Sequence, residues 1–396
     1  MSAFTLISRN PTLRMIAAAM FLVGVFNAST YPYQSLIAIE VIGLSKPAFA
    51  LLLVLASATA VSASVLSGVL GDQHGNRRLI ALIATASSLL GMALMLFFPS
   101  TISLILCHGI LVPIGSSIFG QLFALARLVH PQAEGRDGIL GTVRAALSLA
   151  FLAMLVFWTF AFEANIAVTA VYVSGALAGL GLLTLILLLW PRDGQTDWVD
   201  ARSGLNFKQA FREIAAPNVL IRLLLLGAIT SSGGLYMTVI SLVFDQSAQR
   251  GPADVALYVG LVAGWEVPCL ILLPRVARHF KRSTLIGLGV ALYCCHVIAL
   301  PLLAASPLIW GMTLVAGVGG TTMLALPIAY YQDLLQGRPG TAGAMLALQK
   351  LISDVLVAFA FASGTAIGGY TTVAFIGVSI ALLGAFGLFW VDRNTA

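Results

Sequence analysis

PAFALLLVLASATAVSASVLSGVLGDQHGNRRLIALIATASSLLGMALMLFF, residues 47–98, reads as two long apolar runs joined by one short polar turn. Each run reaches the roughly 20 residues that an α-helix needs to cross about 30 Å of hydrocarbon. The runs are continuous and do not alternate with a period of two, which excludes a membrane-spanning β-barrel. The turn gathers the polar groups of the whole stretch, as a helical hairpin requires when its two arms lie in lipid.

The same pattern continues outward in both directions. Apolar spans at 13–38, 47–70, 78–98, 102–128, 138–161 and 166–190 precede one long polar segment. Spans at 218–244, 254–277, 283–303, 306–331, 342–367 and 371–391 follow it. The expected fold class is an all-α membrane protein with twelve transmembrane helices in two six-helix pseudo-repeat halves. The expected organisation is a half at 1–190, a linker at 191–216 and a second half at 217–396. Within the linker, FKQAFREIAA (Phe207 to Ala216) reads as a short amphipathic helix on the membrane surface. The loops of the halves echo each other, GDQHGNRR at 71–78 answering PRVARHFKR at 274–282. Two such halves are expected to hold a cargo cavity at their interface near the bilayer midplane.

Composition agrees. Of 396 residues, 59% are hydrophobic and 9% charged, against about 25% charged in soluble domains. Most of the surface must therefore face lipid. The net charge of +6 does not point to nucleic acid, because no Lys/Arg-rich run with interleaved aromatics lies outside the apolar segments. With the N-terminus inside, Arg77, Arg78, Arg127, Lys208, Arg275, Arg338 and Arg393 are cytoplasmic, and only Lys46 and Arg250 fall in the opposite loops. The positive-inside rule thus gives both termini in the cytoplasm. Met1 to Pro11 lacks a signal-peptide pattern, which agrees with that orientation. The four cysteines all lie in apolar runs, without disulfide or metal-ligand spacing.

Gly68-Val-Leu-Gly-Asp72-Gln-His-Gly75-Asn-Arg77-Arg78 resembles the loop signature of the major facilitator superfamily. Gly68 permits close helix approach, Gly75 turns the chain, and Asp72 can pair with a base such as Arg127 at the end of the fourth span. The resemblance implies that these residues form a conformational latch. A generic positive-inside loop is the plainer alternative. Within that superfamily the chain resembles the bacterial sugar efflux transporters. That resemblance rests on Gln121-Leu-Phe-Ala-Leu-Ala-Arg127 with Arg144-Ala-Ala-Leu-Ser-Leu, on Gly264-Trp-Glu266-Val-Pro268, and on Tyr331-Gln-Asp333-Leu-Leu-Gln-Gly337-Arg338-Pro-Gly340. It implies the major facilitator fold and proton-linked export of small sugars or glycosides, in the bacterial inner membrane and as a monomer. Two positions depart from the pattern. Gln73 replaces a usual basic residue, and LSLAFLAMLVFWTF in the fifth span lacks a Gly-Pro pair.

A charge near the bilayer centre costs at least about 2.5–3.5 kcal/mol on insertion scales, so it is usually functional. Arg144, Glu266, Lys350 and Asp354 occupy such positions. Glu266, mid-span in GWEVP, is the leading proton site. Counting 1.5 Å per residue, Arg144 lies about 10 Å and Glu266 about 15 Å from the cytoplasmic face. In the superfamily's architecture the fifth and eighth helices meet, so the resemblance allows the two to pair. Lys350 and Asp354 are four residues apart on one helical face, where a local ion pair is the plainer reading; Asp354 is the second proton candidate. A sugar needs hydrogen-bonding side chains and aromatic faces, which Asn27, Gln34, Gln121, Tyr236 and Gln349 can supply, with Trp158 and Trp265 as platforms. Tyr31 and Tyr33 read as interfacial anchors, and Ser231-Ser-Gly-Gly234 as a bending or closely packed segment.

No phosphate-binding loop, nucleophile constellation or metal-ligand spacing occurs, so an enzyme or an ATP-driven pump is not expected, and neither is a cofactor. The expected partners are a small-molecule substrate, protons and the lipid bilayer. The competing expectation keeps the fold and changes the cargo to a drug-like or other amphipathic solute.

Overall fold

The computed structural model describes residues 3–74, 76–129, 133–192, 216–277, 279–334 and 339–393. Among them, twelve helical spans are long and apolar enough to cross a membrane. They are α1 (Pro11–Val41), α2 (Lys46–Gly71), α3 (Arg77–Phe97), α4 (Thr101–Val129), α5 (Ile139–Glu163) and α6 (Val168–Leu189). The remaining six are α7 (Pro217–Asp245), α8 (Pro252–Leu273), α9 (Arg282–Leu303), α10 (Pro307–Pro327), α11 (Met345–Ile367) and α12 (Gly369–Arg393). Each coincides with one expected span, because run length alone marks where backbone can sit in lipid. The amphipathic helix expected at 207–216 lies outside the described residues, apart from Ala216. So does Gly75 of the loop signature.

Local chemistry sets several ends. Asn10 caps α1 by accepting from the backbone N–H groups of Thr12 and Leu13, with Pro11 at the first helical position. Ser100 caps α4 through Ser103 N–H and Ser306 caps α10 through Leu308 N–H. Such oxygens satisfy helix-end donors that would otherwise have no partner. Gly43 and Gly369 turn the chain at φ +79° between α1 and α2 and between α11 and α12, a conformation that side chains resist. Inside α1 and α4 the winding widens to a π turn at Ile37–Val41 and Ile105–Leu111, for which no sequence signal was available.

The outer surface is apolar. Leu51, Ile271, Leu383 and Phe386 are each at least 67% exposed. A water-soluble protein does not carry exposed apolar surface on that scale. The chain is a multi-pass membrane protein.

The chain forms two compact units. One comprises Met1–Tyr33 and Ala58–Gly204, the other Gln34–Ser57 and Leu205–Ala396. In the first, α1 packs on α5 and α6, and the ring of Tyr33, fully buried, meets Phe162 edge-on at 5.2 Å. Tyr33 is therefore a core residue rather than an interfacial anchor; Tyr31 is 42% exposed. Trp158, expected as a platform, is buried too, stacked on Phe162 at 5.0 Å and donating to Ser29 Oγ. In the second unit, α7 packs on α11 and α12, α9 on α10 and α12, and α8 on α10.

Candidate functional site

Glycines build the site in the second unit. α10 carries Gly317-Val-Gly-Gly320, and three of these residues face neighbouring helices. A Cβ on Gly317 would collide with Cβ of Trp265, and one on Gly320 would lie 2.7 Å from Glu266 Oε1 and 3.3 Å from Tyr293 Cε2. α8 thus comes against α10 at Trp265 and Glu266. On α10's other side, a Cβ on Gly319 would lie 2.6 Å from the Gly289 carbonyl oxygen and 2.8 Å from the Tyr293 backbone nitrogen. Close approach of this kind requires residues without side chains. It sets Glu266, half-buried, beside the same glycine as the Tyr293 ring. Trp265 is 43% exposed.

Behind Tyr293 lies an aromatic cluster from α7, α8 and α9. Tyr236 is 3% exposed, its ring 4.9 Å from His296, 6.2 Å from Tyr258 and 6.3 Å from Tyr293. Tyr258 stacks on His296, its Oη 3.0 Å from Nδ1. Tyr236 Oη and His296 Nε2 are buried without a hydrogen-bond partner. Of these four residues, sequence reasoning named only Tyr236. A Tyr or His in an apolar run has no diagnostic spacing, and only the fold shows that these rings meet.

On α11, Lys350 Nζ and Asp354 Oδ2 form the local ion pair at 2.6 Å, the lysine 65% and the aspartate 19% exposed. Ser353 Oγ and Asp354 Oδ1 lie 3.8 and 3.9 Å from where a Cβ of Gly234 would stand. Gln349 donates to Thr230 Oγ1 at 3.3 Å while its Oε1 is buried without a partner. The Ser231-Ser-Gly-Gly234 segment lies within an unbroken helix, Pro217–Asp245. Its two serine hydroxyls bond back to the carbonyls of Ala228 and Ile229. At one end of this unit Arg222 donates to Tyr330 Oη and Asp392 Oδ1, and Tyr330 Oη donates to the same carboxylate, tying α7 and α12 to the helix that extends α10 to Leu334. None of those three residues stood out in the sequence.

In the first unit Gln121 is buried, donating to the Ser67 carbonyl at 3.2 Å and accepting from Arg77 Nη1 at 3.5 Å. Arg78 donates to the Leu187 carbonyl at 2.9 Å. The loop signature's arginines thus hold α3 against the neighbouring spans. Asp72 lies on the helix continuing α2, with its side chain outside the described set. Around a Cβ on Gly68 there is open space. Arg127 and Arg144 are exposed, and Asn27 is half-buried. Gln34, grouped with the second unit, is half-buried as well. Among the described residues no cluster of His, Cys, Asp and Glu is arranged to hold a metal ion.

The comparisons agree with this architecture. The family model described as Major Facilitator Superfamily matches residues 16–381. A Deinococcus radiodurans protein named "Putative sugar efflux transporter" is 24% identical over 96% of this chain and 97% of its own length. Sugar efflux transporter A of Escherichia coli is 21% identical over 81% of each chain. Among solved structures, nucleoside transporter NupG superposes with a TM-score of 0.76 at 12% identity, covering 96% of this chain and 99% of its own. That last likeness concerns the fold alone. With the family model spanning nearly the whole chain and twelve membrane helices in the structure, the chain belongs to the major facilitator superfamily, a family of membrane carriers rather than enzymes.

Proposed function

We propose that the chain is a secondary transporter that exports small sugars or glycosides in exchange for protons, by alternating access. The observation that carries this reading is the Glu266 carboxyl, set within a membrane span beside the Tyr293 ring at Gly320. A carboxyl there can bind and release a proton, whereas the Asp354 carboxyl is already ion-paired with Lys350. The sugar half of the reading draws support from the names of the relatives and from the hydroxyl and amide groups of α7 and α11. In this scheme Glu266 takes up the exchanging proton, and Arg144 and Asp354 are the other members of the ionic set. Asn27, Gln34, Gln121, Tyr236, Trp265 and Gln349 contact the cargo. Gly68, Asp72, Gly75, Arg77, Arg78 and Arg127 form the latch, and the two six-helix halves flank the linker.

Everted membrane vesicles test this directly. With the lumen acidified, cells overproducing the chain should yield vesicles that concentrate labelled lactose, and collapsing the gradient should abolish it. Concentration of an amphipathic cation in place of lactose would transfer the scheme to drug-like cargo.

The placement proposed is the bacterial inner membrane with both termini cytoplasmic, as the Lys and Arg distribution favours. Reporter fusions should report Lys46 and Arg250 outside and Arg77, Lys208 and Arg338 inside. An external Lys208 would invert the assignment.

A further inference from the structure

We propose that Tyr236 and His296 form a buried hydroxyl-recognition site in the second unit, and that its cargo is a neutral polyol rather than an anion. This deepens the sugar-transport reading and rests on it. Tyr236 is 3% and His296 0% exposed, and their rings stand 4.9 Å apart at 70°. Tyr236 Oη and His296 Nε2 are both buried and both unpartnered. Buried polar groups nearly always find partners, because leaving one unmatched costs the desolvation of that group. Two unmatched groups on adjacent rings point to a ligand that matches both.

Nor is the imidazole free to turn toward another partner. Tyr258 Oη engages Nδ1 at 3.0 Å, which leaves Nε2 as a donor or an acceptor according to which ring nitrogen carries the hydrogen. A hydroxyl both donates and accepts, so one cargo hydroxyl satisfies Nε2 in either tautomer while accepting from Tyr236 Oη. An anionic oxygen can only accept. It would also approach the Glu266 carboxylate, since the Tyr293 ring that packs on Tyr236 and His296 lies beside Glu266 at Gly320. Repulsion there disfavours sugar phosphates and sugar acids against neutral glycosides. The two groups are sealed from solvent in this conformation, as a carrier that closes over its cargo requires.

The test is equilibrium binding of radiolabelled lactose, maltose and methyl glucoside to the purified full-length protein, with lactobionate as the anionic counterpart of lactose. Tyr236→Phe removes one oxygen that has no partner in the folded protein, so its thermal unfolding should match or exceed that of the wild type. Binding of the neutral ligand should weaken by about fivefold or more, the worth of one net hydrogen bond. His296→Gln should weaken it similarly, and lactobionate should bind the wild type more weakly than lactose. Glycoside binding by the wild type that both variants leave unchanged would overturn this site while sparing the sugar reading. Lactobionate binding as tight as lactose would overturn the preference for neutral cargo. Failure of the wild type to bind any of the three neutral glycosides would overturn the sugar reading and this site with it.

Discussion

Replacing Glu266 by Gln should reduce gradient-driven accumulation to the level of vesicles lacking the protein, while substrate counterflow continues near the wild-type rate. The amide keeps the shape of the carboxyl and its hydrogen-bonding capacity, so helix packing at Gly320 is preserved. It cannot take up or release the exchanging proton. Counterflow exchanges one sugar for another and needs no net proton movement, which separates loss of coupling from loss of binding. Glu266→Asp withdraws the carboxyl by one methylene and should retain part of the coupling, with an altered pH profile. If Glu266→Gln still concentrates substrate against a gradient, Glu266 is structural, and Asp354 becomes the candidate proton site.

Gly319→Ala should be among the most damaging small substitutions in the second unit. The added methyl would stand 2.6 Å from the Gly289 carbonyl oxygen and 2.8 Å from the Tyr293 backbone nitrogen. Backbone atoms of a packed helix cannot step aside as a flexible side chain can, so α9 and α10 must part. Overpacking of this kind costs about 1–3 kcal/mol, enough to lower the unfolding temperature of detergent-solubilised protein measurably. Gly264→Ala is the matched control, because a Cβ on Gly264 has open space around it. Alanine is the better helix former by up to about 1 kcal/mol, so the control should be neutral or slightly stabilising. Equal destabilisation by both would mean that α9 and α10 do not meet at Gly319.

The positions of all twelve spans were legible because lipid imposes a length and an apolarity that the sequence must display. Glu266, Arg144, Lys350 and Asp354 were legible for the same reason: a charge stands out against an apolar run. What determines the surroundings of Glu266 was not. The AGVGG run of α10 looks like many small-residue runs in membrane helices, and only packing shows that Gly317 and Gly320 meet α8 while Gly319 meets α9. Tyr258, Tyr293 and His296 were hidden because aromatic residues are ordinary in such helices and their meeting depends on three separate spans. The burial of Tyr33 and Trp158 is not legible in the sequence, because position along a span does not reveal which face is buried. The joint hold of Arg222, Tyr330 and Asp392 depends on residues 62 to 170 positions apart, beyond the reach of any local pattern.

If sugar and proton move in opposite directions through this chain, proteoliposomes of the purified protein that enclose a pH-sensitive dye will report the exchange. Adding lactose outside should raise the luminal pH as sugar enters and protons leave, whichever way individual molecules are inserted. Glu266→Gln should abolish the signal. Lactose entry with no pH change, or with acidification of the lumen, would contradict proton exchange.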